Sequence, residues 1–219
     1  DDLSKQRDLI KGQFQNWGNE TRLLHVYQVQ GKPWAFVVGS RFYKGYNHSM
    51  QGKTDSTSLP VFGFPSEDDI ISDFEFPSTN FSLFAEHIFR LGKKLSITPG
   101  VRFEYIDTKA DGTFQQIVTD LAGNAVFDTT WEESQTNTRS FVIGGVGLNY
   151  RLNNTTNLYS NFTQNYRSIN FTDMQIRNTN FRIDPNLEDE TGYNFDVGVR
   201  GFINHTLNYD ISGFMLLYN

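Results

Sequence analysis

The amino-acid sequence predicts an all-β fold, an antiparallel transmembrane β-barrel segment of an outer membrane. Three observations predict it: an unusual composition, strands that alternate apolar and polar residues, and connections sorted into short turns and long loops. The chain of 219 residues is only 37% hydrophobic but 15% aromatic, with 20 Phe and 10 Tyr. Barrels use such a composition because one face of each strand is apolar and aromatic side chains gather at both membrane interfaces.

Composition also argues against several classes of protein. The chain has no cysteine, which removes disulfides, thiolate metal sites and a cysteine nucleophile. Its formal net charge of −6 argues against nucleic acid as a partner. Disordered chains are poor in aromatic residues, in which this chain is rich. No run of about 18 apolar residues is present, so no transmembrane helix is expected.

Short and long connections alternate between eight predicted strands, which form four hairpins. The predicted strands cover about 21–30, 34–44, 81–90, 95–107, 139–150, 157–166, 191–202 and 207–218. The tight turns are at 31–33, 91–94, 153–156 and 204–205, and the long polar stretches are at 1–20, 45–78, 108–136 and 167–189. In a soluble β-sandwich, nothing requires short connections at one end of the strands and long ones at the other. Outer-membrane barrels have this arrangement, with short periplasmic turns and long extracellular loops.

The strand at 95–107 alternates most clearly. Its apolar face has Leu95, Ile97, Val101, Phe103 and Tyr105, and its polar face has Ser96, Thr98, Arg102 and Glu104. We expect Arg102 and Glu104, together with Asp196 and Arg200, to point into a wet lumen. The chain begins in a predicted outer loop and stops inside a predicted strand, which favours part of a larger barrel over a small closed one.

Several local features have structural interpretations. Pro99 lies in mid-strand and predicts a bulge or kink, and Gly144, Gly145 and Gly147 are expected to relieve crowding in the barrel wall. The acidic cluster 67–69 lacks the spacing of a calcium loop and is interpreted as a solvated loop or hinge. The four histidines are scattered, and no catalytic motif is recognised. We therefore predict no enzyme activity, no cofactor and no metal site.

Three segments resemble the TonB-dependent transporter family. The stretch Pro185-Asn186-Leu187-Glu188-Asp189-Glu190 precedes a strand that ends in Gly198-Val199-Arg200, and this is similar to a family pattern of Pro-x-Leu-x-x-Glu before Gly-x-Arg. The hairpin of 80–86 and 95–104 and the strand at 157–167 are also similar to the family. The likeness covers the chain from about residue 81 onward, and 167–173 most resembles the ferric-dicitrate branch.

The resemblance implies a barrel of about twenty-two strands with a plug and a segment that contacts TonB. Neither the plug nor that segment is recognisable here, so residues 1–219 are assigned as one partial receptor barrel. The implied function is outer-membrane uptake of a ferric chelate, either ferric citrate or a siderophore. The implied partners are that chelate or another scarce nutrient, the TonB complex through regions absent here, and outer-membrane lipid and lipopolysaccharide.

The stretch 167–189 is the predicted ligand-binding region. Arginine donates charge-assisted, often bidentate hydrogen bonds to anionic chelates, and amides complete a polar cage. Alternatively, these arginines pair with Asp173 and Asp184 or with lipopolysaccharide phosphates. Arg167 is the leading candidate because it lies nearest the strand end. The predicted ligand-binding residues are Arg167, Asn170, Gln175, Arg177, Asn178 and Arg182, with Arg41 as a further candidate.

Two other functions stay open from the sequence. The first is a passive outer-membrane channel or small structural barrel, which a signal peptide directly upstream, in place of a plug, would indicate. The second is a soluble β-sandwich that binds glycans through exposed aromatic side chains, and it predicts a fold that is stable without detergent.

Overall fold

A computed structural model describes residues 6–56, 59, 61–167, 169, 189–204 and 206–218. These residues form one eight-stranded sheet in which each strand pairs antiparallel with its neighbour in sequence. The predicted all-β fold of eight strands in four hairpins is confirmed. The strands are β1 (Arg7–Val29), β2 (Lys32–Thr54), β3 (Ile70–Leu91), β4 (Leu95–Thr119), β5 (Ala125–Arg151), β6 (Thr156–Arg167), β7 (Glu190–Ile203) and β8 (Leu207–Tyr218).

The sheet is open at β1 and β8, which among the described residues pair on one side only. A single sheet does not fit the β-sandwich alternative, and the unpaired edges do not fit a closed eight-stranded barrel. An open edge leaves backbone N–H and C=O groups without partners, which a membrane-spanning sheet cannot tolerate. The fold is therefore that of a sector of a larger barrel.

The first five strands are much longer than the sequence predicted. β1 begins at Arg7, inside the stretch 1–20 that was expected to be a loop. β2 continues to Thr54 and β3 starts at Ile70, so most of 45–78 is strand. β4 and β5 likewise replace most of the loop predicted at 108–136 and leave a short turn at 120–124.

The loop predictions at 1–20, 45–78 and 108–136 are thus wrong for most of their length, and the reason is physical. Strand segments beyond the bilayer have water on the outer side, so the apolar alternation that identifies a strand fades. Their cross-strand hydrogen bonds continue regardless. The connection between β6 and β7 starts and ends as predicted, and residues 168 and 170–188 within it lie outside the described residues.

The two faces of the sheet differ in polarity. The face with Arg102 and Glu104 is called the inner face, and the face with Val101 and Phe103 is called the outer face. Val101 is 51% exposed although it is apolar, as expected for a side chain that contacts lipid. The strand register carries this apolar row across the sheet, because Val101 lies opposite Ala85 on β3 and Gly144 on β5.

Two belts of aromatic side chains border the apolar band on the outer face. The lower belt, near the tight turns, comprises Tyr27, Trp34, Phe36, His87 and Phe89, and the upper belt comprises Trp17, Phe42, Phe81 and Tyr105. The Trp34 and Phe89 rings are 5.2 Å apart, and the Trp17 and Phe42 rings are 5.5 Å apart. The belts are ten residues apart on β1, from Trp17 to Tyr27, and eight apart on β2, from Trp34 to Phe42, which is close to the length of about 9–11 residues that a tilted strand needs to cross a bilayer. None of the described residues forms a helix long and apolar enough to span a membrane.

Pro99 interrupts one ladder without shifting the register of β4. Pro99 lies opposite Val146 on β5 in an unbroken register. On the other side, pairing with β3 stops at Gly100 and resumes at Ile97 in the same register. Proline lacks the N–H that the ladder needs, so the predicted irregularity is a local gap in hydrogen bonding and not a bulge.

Candidate functional site

The inner face between the belts has a cavity of about 890 Å³ whose wall carries paired charges. Arg102 forms an ion pair with Glu104 and donates a 3.0 Å hydrogen bond to Ser82 Oγ. Asn80 Nδ2 donates to the other Glu104 oxygen at 2.8 Å. Ser82 and Glu104 are both buried, at 0% and 8% exposure. Arg102 and Glu104 are thus paired with each other on β4, and each is also hydrogen-bonded to a side chain of β3.

A second polar row on the inner face joins β6 to β7 and β8. Asn161 Nδ2 donates to Asp196 Oδ2 at 2.9 Å, and the Tyr159 hydroxyl donates to Asp210 at 2.6 Å. The Arg200 guanidinium lies 5.3 Å from the centre of the Tyr159 ring. As expected for Asp196 and Arg200, these polar groups lie on the inner face. This part of the wall therefore presents polar groups that are held in place by hydrogen bonds between neighbouring strands.

Glycines on β5 allow this second row to approach the wall. A Cβ on Gly145 would lie 2.7 Å from Thr163 Cγ2, which is too close for two carbon atoms. A Cβ on Gly147 would lie 2.9 Å from Asn161 Oδ1. The expectation that these glycines relieve crowding in the wall is therefore confirmed at Gly145 and Gly147, but it is wrong at Gly144, where a Cβ would meet no atom closer than 3.8 Å.

Beyond the upper belt, a buried ion pair ties together the two ends of the connection between β6 and β7. Arg139 Nε on β5 lies 2.9 Å from Asp189 Oδ2, and the two side chains are 9% and 15% exposed. Arg139 Nη2 donates to the Ile169 carbonyl oxygen at 2.8 Å, and Asp189 Oδ1 accepts the Ile169 N–H at 2.8 Å. Arg139, Asp189 and Ile169 are called the anchor. The anchor fixes where this connection leaves and re-enters the sheet.

Tyr166 completes the surroundings of the anchor. Its hydroxyl donates to Asp189, and its ring stacks on Phe141 with centroids 3.6 Å apart. These two contacts hold Tyr166 against the anchor, with its hydroxyl as the donor to Asp189.

The structure describes two of the arginines that were predicted to bind the ligand, Arg167 and Arg41, and their surroundings differ. Arg167 Nη1 lies 2.9 Å from Glu190 Oε1, so this side chain is paired across β6 and β7. Arg41 is exposed on the inner face and forms no ion pair with any described residue. It lines a cavity of about 320 Å³ together with Arg102, Glu104 and Tyr166. The other predicted ligand-binding residues, Asn170, Gln175, Arg177, Asn178 and Arg182, lie outside the described residues.

Two outer turns contain hydrogen-bonded acidic residues, and the first is the cluster 67–69 that the sequence predicted to be a loop or hinge. Residues Glu67–Asp69 form a short 3-10 turn in which the Ser66 N–H and hydroxyl both donate to Asp69 Oδ2 at 3.0 Å. At the β4–β5 tip, Asp120 accepts hydrogen bonds from the Asn124 and Ala122 N–H groups, and these bonds lower the pKa of Asp120. Within the described ranges, no group of three His, Asp or Glu side chains is placed to hold a metal ion.

Known proteins share this fold. A family model described as TonB dependent receptor-like, beta-barrel, matches residues 2–219. The structure is similar to the ferric citrate transporter FecA in its unliganded form, with a TM-score of 0.71 and 17% identity over 97% of this chain and 28% of that chain. It is also similar to the closed form of the ferric-catecholate import receptor Fiu from K12 E. coli, with a TM-score of 0.70 and 12% identity over 93% of this chain and 31% of that chain.

A third solved structure, the copper transporter OprC, has a TM-score of 0.60 and 15% identity over 95% of this chain and 32% of that chain. Identities this low show a shared fold and nothing about ligands. The chain spans about a third or less of the length of these three proteins. A search of curated protein sequences gives no significant match.

Proposed function

Because the chain belongs to the TonB-dependent receptor β-barrel family, we propose that the whole protein takes up a metal chelate across the bacterial outer membrane. Receptors of this family lie in that membrane and are not enzymes, in agreement with the sequence-based predictions. Ligand and energy coupling are properties of the whole protein, of which this chain supplies one sector. The solved structures that it resembles are named for ferric citrate, ferric catecholates and copper.

We assign residues 1–219 as one partial barrel domain, with further strands and a plug elsewhere in the protein. The open edges at β1 and β8 support this assignment, because both strands need partners inside a bilayer. The paired charges of the inner wall support it as well, since a polar, hydrogen-bonded surface suits a hydrated lumen. TonB would then act through regions outside this chain, and lipid and lipopolysaccharide would contact the outer face.

The proposed ligand is an anionic ferric chelate, such as ferric citrate or a siderophore, held at the outer end of the inner face. The single observation that carries this proposal is Arg41, an exposed guanidinium without an ion pair among the described residues. Planar guanidinium groups bind carboxylates through two parallel hydrogen bonds. Arg167 is the weaker donor of the two, because a ligand must compete with Glu190 for it. Asn170, Gln175, Arg177, Asn178 and Arg182 remain proposed contacts from the β6–β7 connection.

The test is a titration of the full-length protein in detergent with ferric dicitrate and a siderophore panel, followed by tryptophan fluorescence. A charge-assisted hydrogen bond contributes about 1.5–3 kcal/mol, so Arg41→Ala should weaken binding by roughly 10- to 100-fold. Lys44→Ala is the matched control, because it removes a positive charge close by on the outer face. Equal affinity in wild type and Arg41→Ala would refute the role of Arg41, and binding of no chelate would refute the proposed ligand class.

A further inference from the structure

A second cavity on the inner face, beyond the upper belt, has walls of a different chemistry. Its volume is about 400 Å³, and it lies between the outward extensions of β1, β2, β3 and β4. Aromatic side chains form much of the wall, including Phe14, Tyr43 and Phe76, and Ile169 of the anchor closes one side. Lys109 is the one charged side chain among the described lining residues, and it is exposed. The cavity therefore suits a flat, mainly apolar group and not a multiply charged ion.

Asn47 is the polar group of this cavity that lacks a partner. It is 5% exposed, and neither its Nδ2 nor its Oδ1 has a hydrogen-bond partner among the described residues. Because both atoms are unsatisfied, the conclusion does not depend on which way the amide is oriented. Buried amides in native proteins are nearly always hydrogen-bonded, so an unpaired one calls for an explanation.

Neighbouring polar groups do not supply the missing hydrogen bonds, because they are hydrogen-bonded to other residues. The Tyr43 hydroxyl donates to Asn16 Oδ1 at 2.7 Å, and Asn80 Nδ2 donates to Glu104. Phe76 lies directly opposite Asn47 in the β2–β3 register and is 3% exposed, so both residues of this pair are buried. Asn47 thus places unpaired donors and an unpaired acceptor in the wall of this cavity.

We infer that this cavity binds an uncharged, planar group that carries an amide, such as a carboxamide on an aromatic ring. An amide presents a donor and an acceptor side by side, which matches both unsatisfied atoms of Asn47 at once. A carboxylate offers acceptors alone and an ammonium offers donors alone, so each leaves one Asn47 atom unpaired in a buried site. The inference rests on the proposed receptor function, in which the amide belongs to the organic part of the ligand.

The experiment uses benzamide as the probe, added to the full-length protein in detergent and observed by saturation-transfer NMR. Acetophenone has the same shape but replaces the amide NH₂ by a methyl group, and it should bind at least fivefold more weakly than benzamide. Asn47→Leu should weaken benzamide at least tenfold, while the matched change Asn149→Leu in the other inner-face cavity should leave it unchanged. Equal binding of benzamide to wild type and Asn47→Leu would overturn the inference.

Thermal unfolding without the probe provides a second readout. If the Asn47 amide has no partner in the protein, the nearly isosteric Asn47→Leu keeps or raises Tm, because it removes an unpaired buried polar group. A clear fall in Tm means that the protein itself satisfies Asn47, and this also overturns the inference.

A second variant guards against misfolding and tests the donor–acceptor argument directly. Asn47→Asp should reverse the preference from benzamide to benzamidine, because a carboxylate accepts two hydrogen bonds and carries the opposite charge. An unchanged preference in this variant contradicts the pairing that we infer. A protein that binds benzamide at Asn47 but no ferric chelate would retain this site and refute the proposed ligand class. A protein that binds a ferric chelate but not benzamide would retain the proposed ligand class and refute the amide site.

Discussion

The anchor makes a quantitative prediction about how the β6–β7 connection is held. Arg139→Leu leaves Asp189, which is 15% exposed, without its cation, and also removes hydrogen bonds to the Ile169 and Asn137 carbonyl oxygens. Removing one partner of a buried pair costs about 3–5 kcal/mol. We take the lower end, about 3 kcal/mol, because the lumen beside the anchor is wet. Opening of the connection should then become on the order of 100-fold more frequent.

Hydrogen–deuterium exchange of the full-length protein measures this opening, since the Ile169 N–H is hydrogen-bonded to Asp189. Peptides that contain Ile169 and the start of β7 should exchange about two orders of magnitude faster in Arg139→Leu, while peptides from β4 within the membrane should not change. The double variant Arg139→Leu/Asp189→Leu should recover much of the protection, because no charge is left buried and unpaired. If the single variant exchanges like wild type, or the double variant is worse than the single, the ion pair does not hold the connection.

Two further predictions concern the wall and the β4–β5 tip. Gly145→Ala should cost about 1–3 kcal/mol and lower Tm in detergent, because its Cβ would meet Thr163 at 2.7 Å; Gly144→Ala, with no atom closer than 3.8 Å, is the tolerated control. The hydrogen bonds that lower the pKa of Asp120 stabilise the tip above the ordinary aspartate pKa, and this contribution is lost as pH falls through the lowered value. A carboxyl NMR titration of wild type and Asn124→Ala should show a lowered midpoint that rises in the variant, and identical midpoints would contradict this.

The parts of the fold that could be predicted from sequence are those in contact with lipid. Between the belts, Val101 and Phe103 alternate with Arg102 and Glu104 because lipid selects one face and the lumen the other. Outside the bilayer this selection ends, and strand segments such as 7–20 and 108–119 look like loops in sequence. Their strand structure depends on partners across the sheet, as in the pairing of Phe114 with Trp131.

The anchor could not have been predicted for a different reason. In the sequence, Arg139 is the first residue of a predicted strand, and Asp189 belongs to the segment that resembles the family pattern. No local spacing rule joins a residue on β5 to one that precedes β7. Their contact exists because β6 and β7 place Asp189 against the inner face of β5, which only the assembled sheet specifies. The same argument applies to Asn47, because its burial and its lack of a hydrogen-bond partner among the described residues appear only in the folded sheet.

The contrast between Arg139, Arg167 and Arg41 shows why arginine-rich loops are poor guides to ligand chemistry by themselves. Each is a guanidinium near the outer end of the sheet, but Arg139 is committed to Asp189 and Arg167 to Glu190. A ligand that binds an arginine already in an ion pair must first break that pair, which reduces the net free energy of binding. A ligand that binds Arg41 needs only to remove part of its hydration. Of Arg41 and Arg167, the two predicted contacts that the structure describes, Arg41 on β2 is therefore the expected ligand contact. If Arg167→Ala weakened chelate binding more than Arg41→Ala did, existing pairing would not be the property that decides which arginine binds the ligand.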